Sequence, residues 1–191
     1  MSTLITILFA GIFTNNLLTS KLLGIENITE NNSWSALLKK CGLLSALMFL
    51  SAIATYPVLR YLLNPLKVDY LAPLVSVIII CGLLWLTFFL TKKYAEYGYK
   101  FLKENGSVLG CSTVVLGLCL NLANNDLVTG FITAMVYAIA SAIGFTVVTL
   151  MFYAINNRLE DANLPECVKG LPTTLFIASF IALAFSGFSG I

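Results

Sequence analysis

Four long stretches of this chain contain no charged side chain, and they constrain its fold more than any other feature. They are Cys41–Leu59, Leu71–Thr91, Phe131–Ile155 and Leu171–Ile191. A helix of about 20 apolar residues crosses the hydrocarbon core of a bilayer. Inside that core every backbone N–H and C=O must be bonded within the protein, which favours helices. The chain is therefore predicted to be an all-α integral membrane protein.

The composition agrees with this prediction and excludes several functions. Of the 191 residues, 59% are hydrophobic and 10% are charged, whereas a soluble domain has about 25% charged residues. The chain contains no histidine, which excludes His-ligated metals, haem with a His axial ligand and imidazole-based triads. The net charge of +2 is small and its basic residues are scattered, so no nucleic-acid binding is expected. No paired carboxylate, activated nucleophile or phosphate loop indicates a stand-alone catalytic site.

Two further apolar segments are too short or too polar to be plain spanning helices. The first, Leu4–Leu23, carries Asn15, Asn16, Thr19, Ser20 and Lys21. The second is apolar only over Val108–Leu122, and its start is interrupted by Gly106, Gly110, Cys111, Ser112 and Thr113. Non-helical backbone at membrane depth persists only where it faces protein, water or a bound ion or cofactor. A matched pair of such segments predicts a site at the bilayer midplane.

Together these segments predict six transmembrane helices arranged as a 3+3 inverted repeat, with broken first and fourth helices. The whole chain, 1–191, is then one membrane domain, with repeat one at about 1–91 and repeat two at about 101–191. Each half has an odd number of spans, so the second crosses in the opposite sense to the first. Pro57 is expected to kink or end the second span.

The distribution of Lys and Arg predicts the orientation, because cytoplasmic loops carry the excess. Loop 2–3 holds two basic residues, Arg60 and Lys67, and loop 4–5 holds none. Loops 1–2, 3–4 and 5–6 with their flanks hold eight: Lys39, Lys40, Lys92, Lys93, Lys100, Lys103, Arg158 and Lys169. Both termini are therefore expected outside the cytoplasm.

The polar residues of the first segment have two interpretations. Asn15 and Asn16 are costly in an apolar helix unless their amides are bonded. They could form interhelical hydrogen bonds that fix packing, or they could cap a half-helix or coordinate an ion at the break. Lys21 is expected near the cytoplasmic end of the span, where its ammonium can snorkel.

The second segment also has two interpretations. The small residues Gly110–Thr113 could serve ordinary close packing between membrane helices, or they could mark a broken or re-entrant segment. Asn121 is expected to begin a polar exit on the outer side, followed by Asn124, Asn125 and Asp126. The predicted midplane lining is Asn15, Asn16, Gly110, Ser112 and Asn121.

Several short motifs, in order and spacing, resemble those of a known family. Asn15-Asn16-Leu17-Leu18 followed by Lys21-Leu22-Leu23-Gly24 is similar to the first span of the RnfA subunit of the Rnf complex and of its homologue NqrE. Later motifs of the same family are matched by Val114-Val115-Leu116-Gly117, Val136-Tyr137, Ile143-Gly144-Phe145, Lys169-Gly170 and Ala184–Gly190. The resemblance covers essentially the whole chain.

The resemblance implies a membrane subunit of an ion-translocating ferredoxin:NAD oxidoreductase that moves sodium ions or protons. Its partner would be an RnfE-like sister subunit of opposite orientation, in the cytoplasmic (inner) membrane of a bacterium or archaeon. The family also implies a [2Fe–2S] cluster shared with the sister, and flavins and other Fe–S clusters on partner subunits. Two cluster cysteines of the family correspond here to Glu26 and Thr113, neither a thiolate donor, while Cys111 is a candidate displaced ligand.

An alternative of another class remains at this point. A six-span substrate-binding component of a vitamin or metal uptake transporter has a similar length and span number. It would need a ligand pocket near the outer face rather than inverted broken helices paired with a sister subunit. Neighbouring genes distinguish the two, since ATPase genes would favour the transporter.

Overall fold

The structure is a computed structural model that describes residues 2–24, 34–63, 69–94, 113–124, 128, 130–160 and 170–187. Every regular element in this part of the chain is helical. The first segment comprises α1 (Ser2–Phe9), a π-helical turn (Ala10–Thr14) and α2 (Leu17–Lys21). The others are α3 (Trp34–Val58) with a π-helical turn (Leu59–Leu63), a 3₁₀ turn (Asp69–Leu71), α4 (Ala72–Tyr94), α5 (Thr113–Asn124), α6 (Phe131–Glu160) and α7 (Leu171–Ser186).

Three helical stretches are long and apolar enough to cross a membrane. They are Trp34–Leu63, Ala72–Lys93 and Phe131–Leu159, of 30, 22 and 29 residues. The shorter apolar helices are Leu4–Thr14, Thr113–Asn124 and Pro172–Ser186. The all-α fold of a multi-pass membrane protein is thus supported, while the count of six spans stays a prediction. Glu26, Gly110, Cys111 and Ser112 lie outside the described residues.

The second predicted span is longer than its charge-free stretch indicates. Helix α3 begins at Trp34 rather than Cys41, so Lys39 and Lys40 lie on the helix and not in a loop. Pro57 does not end the span, because the chain continues as a wider π-helical turn to Leu63. Proline lacks the N–H that would bond one turn back, yet Pro57 lies within α3, which continues to Val58.

The core forms where α3 and α6 pack against each other. Leu44, Met48 and Ala52 of α3 are buried, and the largest wholly buried side chains are Tyr137, Phe145 and Phe152 of α6. In a bilayer the lipid is as apolar as leucine, so close van der Waals contact rather than the hydrophobic effect holds helices together.

The contacts between helices form two matching sets. Helices α3 and α6 contact each other, α1 and its π-helical turn contact α6, and α5 contacts α3. Helix α4 contacts α3 and α5, while α7 contacts α6 and the first segment. Exchanging the first segment for α5, α3 for α6 and α4 for α7 therefore maps each of these contacts onto another.

Two glycines bring the first segment unusually close to α6. A Cβ on Gly11 would lie 2.7 Å from the Cβ of Ala140. A Cβ on Gly144 would lie 2.8 Å from the carbonyl oxygen of Ile12 and 2.9 Å from Nδ2 of Asn16. Small residues at such positions let helix backbones approach. The close contact between the first segment and α6 therefore requires glycine, which has no side chain, at both positions.

We expect Gly144→Ala to destabilise the protein by about 1–3 kcal/mol, because its methyl group would overlap backbone atoms that cannot move freely. The matched control is Gly42→Ala on α3, where a Cβ would meet no atom within 4 Å. That change should be neutral or stabilise by about 0.5–1 kcal/mol, since alanine is the better helix former. Both changes are measured as the temperature at which half of the detergent-solubilised protein is lost from the monodisperse peak in size-exclusion chromatography. Equal midpoints for the two variants would contradict the packing described here.

Candidate functional site

The first segment is broken at Asn15–Asn16, as the sequence predicts. The N–H of Asn15 donates to the carbonyl of Ala10 at 2.7 Å and closes the wide turn after α1. Asn16 has extended backbone angles (φ −65°, ψ 128°), and α2 begins after it. The helix axis is therefore interrupted in the middle of an apolar segment.

The side chain of Asn16 caps both sides of this break. It is wholly buried. Its Oδ1 accepts from the N–H of Leu18 at 3.0 Å, and its Nδ2 donates to the carbonyl of Ile12 at 3.0 Å. Its own carbonyl accepts from Ser20 Oγ at 2.6 Å. Because these partners belong to its own segment and not to another helix, the capping interpretation is confirmed.

A tight turn after α2 brings the first segment against α5. Leu22 has a left-handed backbone (φ 55°), and its N–H donates to the carbonyl of Leu18 at 2.9 Å. Gly24 is also left-handed (φ 92°), and a Cβ there would overlap the side chain of Val114. A Cβ on Gly117 would likewise overlap Leu23. The two irregular segments are thus in direct contact.

A second contact between these segments is polar. Lys21 Nζ donates to Asn121 Oδ1 at 2.5 Å, and Asn121 Nδ2 lies 3.4 Å from the hydroxyl of Tyr137 on α6. Lys21 is exposed, whereas Tyr137 is wholly buried. The chain of bonds therefore runs from the surface of the protein into its core.

This contact corrects an expectation drawn from the sequence. The sequence predicts Lys21 near the cytoplasmic end of the first span, and Asn121 at an exit on the opposite, outer side. Their side chains bond to each other, so they lie at the same depth. The error has a physical cause: the helix is broken at Asn15–Asn16 and ends in a turn at Leu22–Gly24, so the residue count is a poor measure of depth.

Among the residues that the structure describes, the donors around the second segment do not form an iron–sulfur site; Cys111 lies outside them. Thr113, the first residue of α5, is exposed, and its hydroxyl is not a thiolate ligand. The cysteines of the described part are Cys41, Cys81 and Cys119. They lie on α3, α4 and α5, and Cys119 Sγ contacts Thr55 Oγ1 at 3.5 Å. Among the described residues no three His, Cys, Asp or Glu side chains form a metal-binding group.

Sequence reasoning missed two buried residues of α6. Tyr137 belongs to a family motif but is not among the predicted site residues, and neither is Ser141. Ser141 Oγ is buried and has no hydrogen-bond partner in the described part of the chain. A hydroxyl in a charge-free span is the available signal, but serine is common in such helices and carries little information alone.

The chain matches the model of a protein family described as Rnf-Nqr subunit, membrane protein, over residues 4–191. It is 31% identical over 189 residues to the A-type subunit of the Na(+)-translocating ferredoxin:NAD(+) oxidoreductase complex of Acetobacterium woodii. That alignment covers 98% of this chain and 97% of the relative.

Two more relatives are named as A-type subunits of an ion-translocating oxidoreductase complex. The protein of Ectopseudomonas mendocina is 29% identical over 194 residues, covering 100% of this chain and 98% of its own. The protein of Methanosarcina acetivorans is 27% identical over 195 residues, and that alignment covers 98% of this chain and 94% of the relative. The similarity therefore extends through both irregular segments.

We expect Asn16→Ala to destabilise the protein by about 1–3 kcal/mol, because it leaves a buried N–H and a buried C=O without partners. Asn15→Ala is the neighbouring control: Asn15 contributes its backbone N–H to the break, which alanine retains. The thermal midpoint of the detergent-solubilised protein reports both changes. A control that fell as far as Asn16→Ala would argue against the capping role.

Proposed function

The chain belongs to the Rnf-Nqr family of membrane subunits, and we propose that it is the RnfA-like subunit of an ion-translocating ferredoxin:NAD oxidoreductase complex. The observation that carries this proposal is the match over residues 4–191. The full-length similarity to named A-type subunits supports it. The uptake-transporter alternative has no comparable support, because these relatives are named as subunits of oxidoreductase complexes.

In this proposal the subunit does not catalyse a reaction alone. Flavins and iron–sulfur clusters on partner subunits carry the electrons between ferredoxin and NAD. The subunit forms half of the membrane core, and an RnfE-like sister of opposite orientation forms the other half. Movement of sodium ions or protons across this core is coupled to the electron transfer.

We infer that the fold is a 3+3 inverted repeat in the cytoplasmic membrane, with both termini outside the cytoplasm. The matching sets of helix contacts support it, since each three-helix set packs in the same way around the α3–α6 pair. Each set also contains an odd number of spans if α5 and the first segment both cross, which requires inversion. The excess of lysine and arginine in loops 1–2, 3–4 and 5–6 supports the orientation.

The junction of the two broken segments is the proposed place where ions pass. Asn16 and Asn121 supply amide groups at the junction, and Asn15, Gly110 and Ser112 complete the predicted lining. Broken helices offer carbonyl and amide oxygens to a cation without a permanent charge in the membrane. The subunit therefore contributes polar groups at a depth where regular helices would offer none.

We propose that this subunit does not supply the usual thiolate pair to a shared cluster. A [2Fe–2S] cluster requires four cysteine thiolates as a rule, and the positions of the family's two cysteines are Glu26 and Thr113. The threonine at the start of α5 cannot replace a thiolate. The role of the subunit is accordingly structural and ion-conducting, and the electrons pass through groups held by partner subunits.

Deleting the gene should abolish both ferredoxin-dependent NAD reduction by membrane vesicles and the ion uptake that accompanies it. The reason is that the membrane core cannot assemble with one half missing. Expression of the intact chain should restore both activities, with the Gly42→Ala variant as a packing-neutral control. Undiminished coupled activity in the deletion strain would contradict the proposal. Neighbouring genes for an RnfE-like sister and flavin-binding subunits are the cheaper supporting observation.

Iron analysis and EPR of the purified sister pair, this chain with its RnfE-like partner, test the cluster proposal. We expect no [2Fe–2S] signal at the boundary between the two proteins, and no change in Cys111→Ala. The double variant Glu26→Cys with Thr113→Cys restores the family's donors and should gain iron if the sister supplies the other two. A signal in the unmodified pair that disappears in Cys111→Ala would show that Cys111 is a displaced ligand.

A further inference from the structure

Helices α3 and α6 leave an open groove along one side of their contact. The lining consists of Ser45, Ala46 and Phe49 of α3 and of five residues between Ile139 and Val147 of α6. The volume of the groove is about 390 Å³, which is in the range of ligand clefts, about 300–1,000 Å³. Because Ala46, Ile143 and Val147 are exposed, the groove is accessible from outside the protein.

The lining of the groove favours a hydrocarbon. Its two hydroxyls are already bonded: Ser45 Oγ donates to the carbonyl of Gly42 at 2.8 Å, and Thr146 Oγ1 donates to that of Ala142 at 2.9 Å. The other lining side chains are those of alanine, phenylalanine, isoleucine and valine. An apolar chain in the groove therefore gains close contacts without burying an unbonded polar atom.

The groove lies between antiparallel helices whose ends carry aromatic rings. The rings of Trp34, at the start of α3, and Tyr153, near the end of α6, lie 5.0 Å apart. At the opposite ends of these helices the rings of Tyr56 and Phe131 lie 6.1 Å apart. Tryptophan and tyrosine are enriched at the level of the lipid headgroups. The end of the helix pair that contains Trp34, here called the Trp34 end, fits that level.

Two exposed cations lie toward the Trp34 end on the side of the groove. Lys39 precedes Ala46 by seven residues, or two turns, and Arg158 follows Val147 by eleven residues, or three turns. Residues at these spacings share a helix face. At a rise of about 1.5 Å per residue, the Cα atoms of Lys39 and Arg158 lie about 10 Å and about 16 Å from those groove residues along their helices.

The directions of the two helices bring these cations toward one level. Every Cα–Cβ bond leans toward the N-terminus of its helix. For Lys39 this direction leads away from the groove, whereas for Arg158, which lies further out, it leads back toward the groove. The described residues at the Trp34 end of α3 and α6 include three basic groups, Lys39, Lys40 and Arg158, and one acid, Glu160. The mouth of the groove therefore attracts an anion.

We propose that the groove binds one anionic phospholipid, with an acyl chain against Ala46 and Val147 and the phosphodiester between Lys39 and Arg158. Basic groups beside a cleft between membrane helices are typical of such lipid sites. An apolar helix of another protein would leave the two cations without an anion, and free phosphate would leave the groove without a hydrocarbon. The lipid joins α3 to α6, which belong to different halves of the chain. This inference goes beyond the proposed function and does not rest on it.

The experiment uses the full-length protein, purified in detergent with any subunits that remain bound to it. Native mass spectrometry measures its affinity for dioleoyl phosphatidylglycerol and for dioleoyl phosphatidylcholine, which has the same chains and a zwitterionic headgroup. We expect one phosphatidylglycerol to bind about tenfold more tightly or better, since two basic residues attract its net charge. It should also raise the thermal midpoint, because a ligand of the folded state stabilises that state.

Removing either cation should weaken this preference. We expect Lys39→Gln and Arg158→Gln each to lower the affinity for phosphatidylglycerol by about fivefold. Lys92→Gln is the control, because Lys92 is an exposed lysine in the last turn of α4 and not on the groove. An equal loss of affinity in Lys92→Gln would show that surface charge in general attracts the lipid, and would contradict the site.

Filling the groove should prevent the acyl chain from binding. We expect Ala46→Phe to lower the affinity for phosphatidylglycerol by about tenfold or more. Its thermal midpoint without added lipid should be unchanged, because Ala46 is exposed and surface substitutions have small effects on stability. Ala184→Phe is the matched control: that alanine of α7 is also exposed, and its variant should bind the lipid as the unmodified protein does.

Three results would overturn the inference: equal affinity for the two lipids, unchanged affinity in Ala46→Phe, or stabilisation by glycerol phosphate as large as that by phosphatidylglycerol. The last would indicate a site for a free anion. A photo-crosslinking residue in place of Ala46 gives an independent check in native membranes. We expect a lipid adduct there, and a crosslinked protein would instead identify the groove as a helix interface and contradict the proposal.

Discussion

The lack of water at the middle of a bilayer is the constraint on which this structure depends. A helix can be interrupted there only if other groups bond the freed backbone atoms. The carboxamide of Asn16 does so on both sides of the break, accepting from Leu18 and donating to Ile12. The chain can then start a short second helix, which ends in a turn with left-handed backbone at Leu22 and Gly24. That turn lies against α5, where Gly24 packs on Val114 and Leu23 packs on Gly117.

Glycines are as important as polar side chains where the first segment packs against α5 and α6. At Gly11, Gly24, Gly117 and Gly144 an added Cβ would approach a neighbouring atom to within 2.8 Å. Lipid gives no hydrophobic drive for helix association, so surfaces must fit closely to hold together. Glycine at these positions permits that fit between the first segment, α5 and α6. The same closeness positions Asn121 and Lys21 within bonding distance of each other.

The proposed ion path and the proposed absence of a cluster rest on different features of this chain. The proposed ion path rests on the break at Asn15–Asn16 and on the close contacts of the first segment with α5 and α6. The proposed absence of a cluster rests on Glu26 and Thr113, which the family resemblance matches to cluster cysteines. Carboxylate and hydroxyl oxygens are hard donors, whereas iron in a sulfur cluster is held by thiolates. A membrane protein of this kind suits a complex in which partner subunits carry electrons and the membrane core moves the ion.

The all-α membrane fold could be predicted from the sequence, because charge-free stretches of about 20 residues match the length of a spanning helix, and so could the break at Asn15–Asn16. The continuation of the helical segment past Pro57 to Leu63 could not be predicted, since a proline usually kinks or ends a helix and here the chain continues as a π-helical turn. The bond between Lys21 and Asn121, and the burial of Ser141 without a partner among the described residues, became visible only in the folded protein. Helices and caps depend on near neighbours in the chain, whereas the Lys21–Asn121 bond and the burial of Ser141 depend on how distant segments pack.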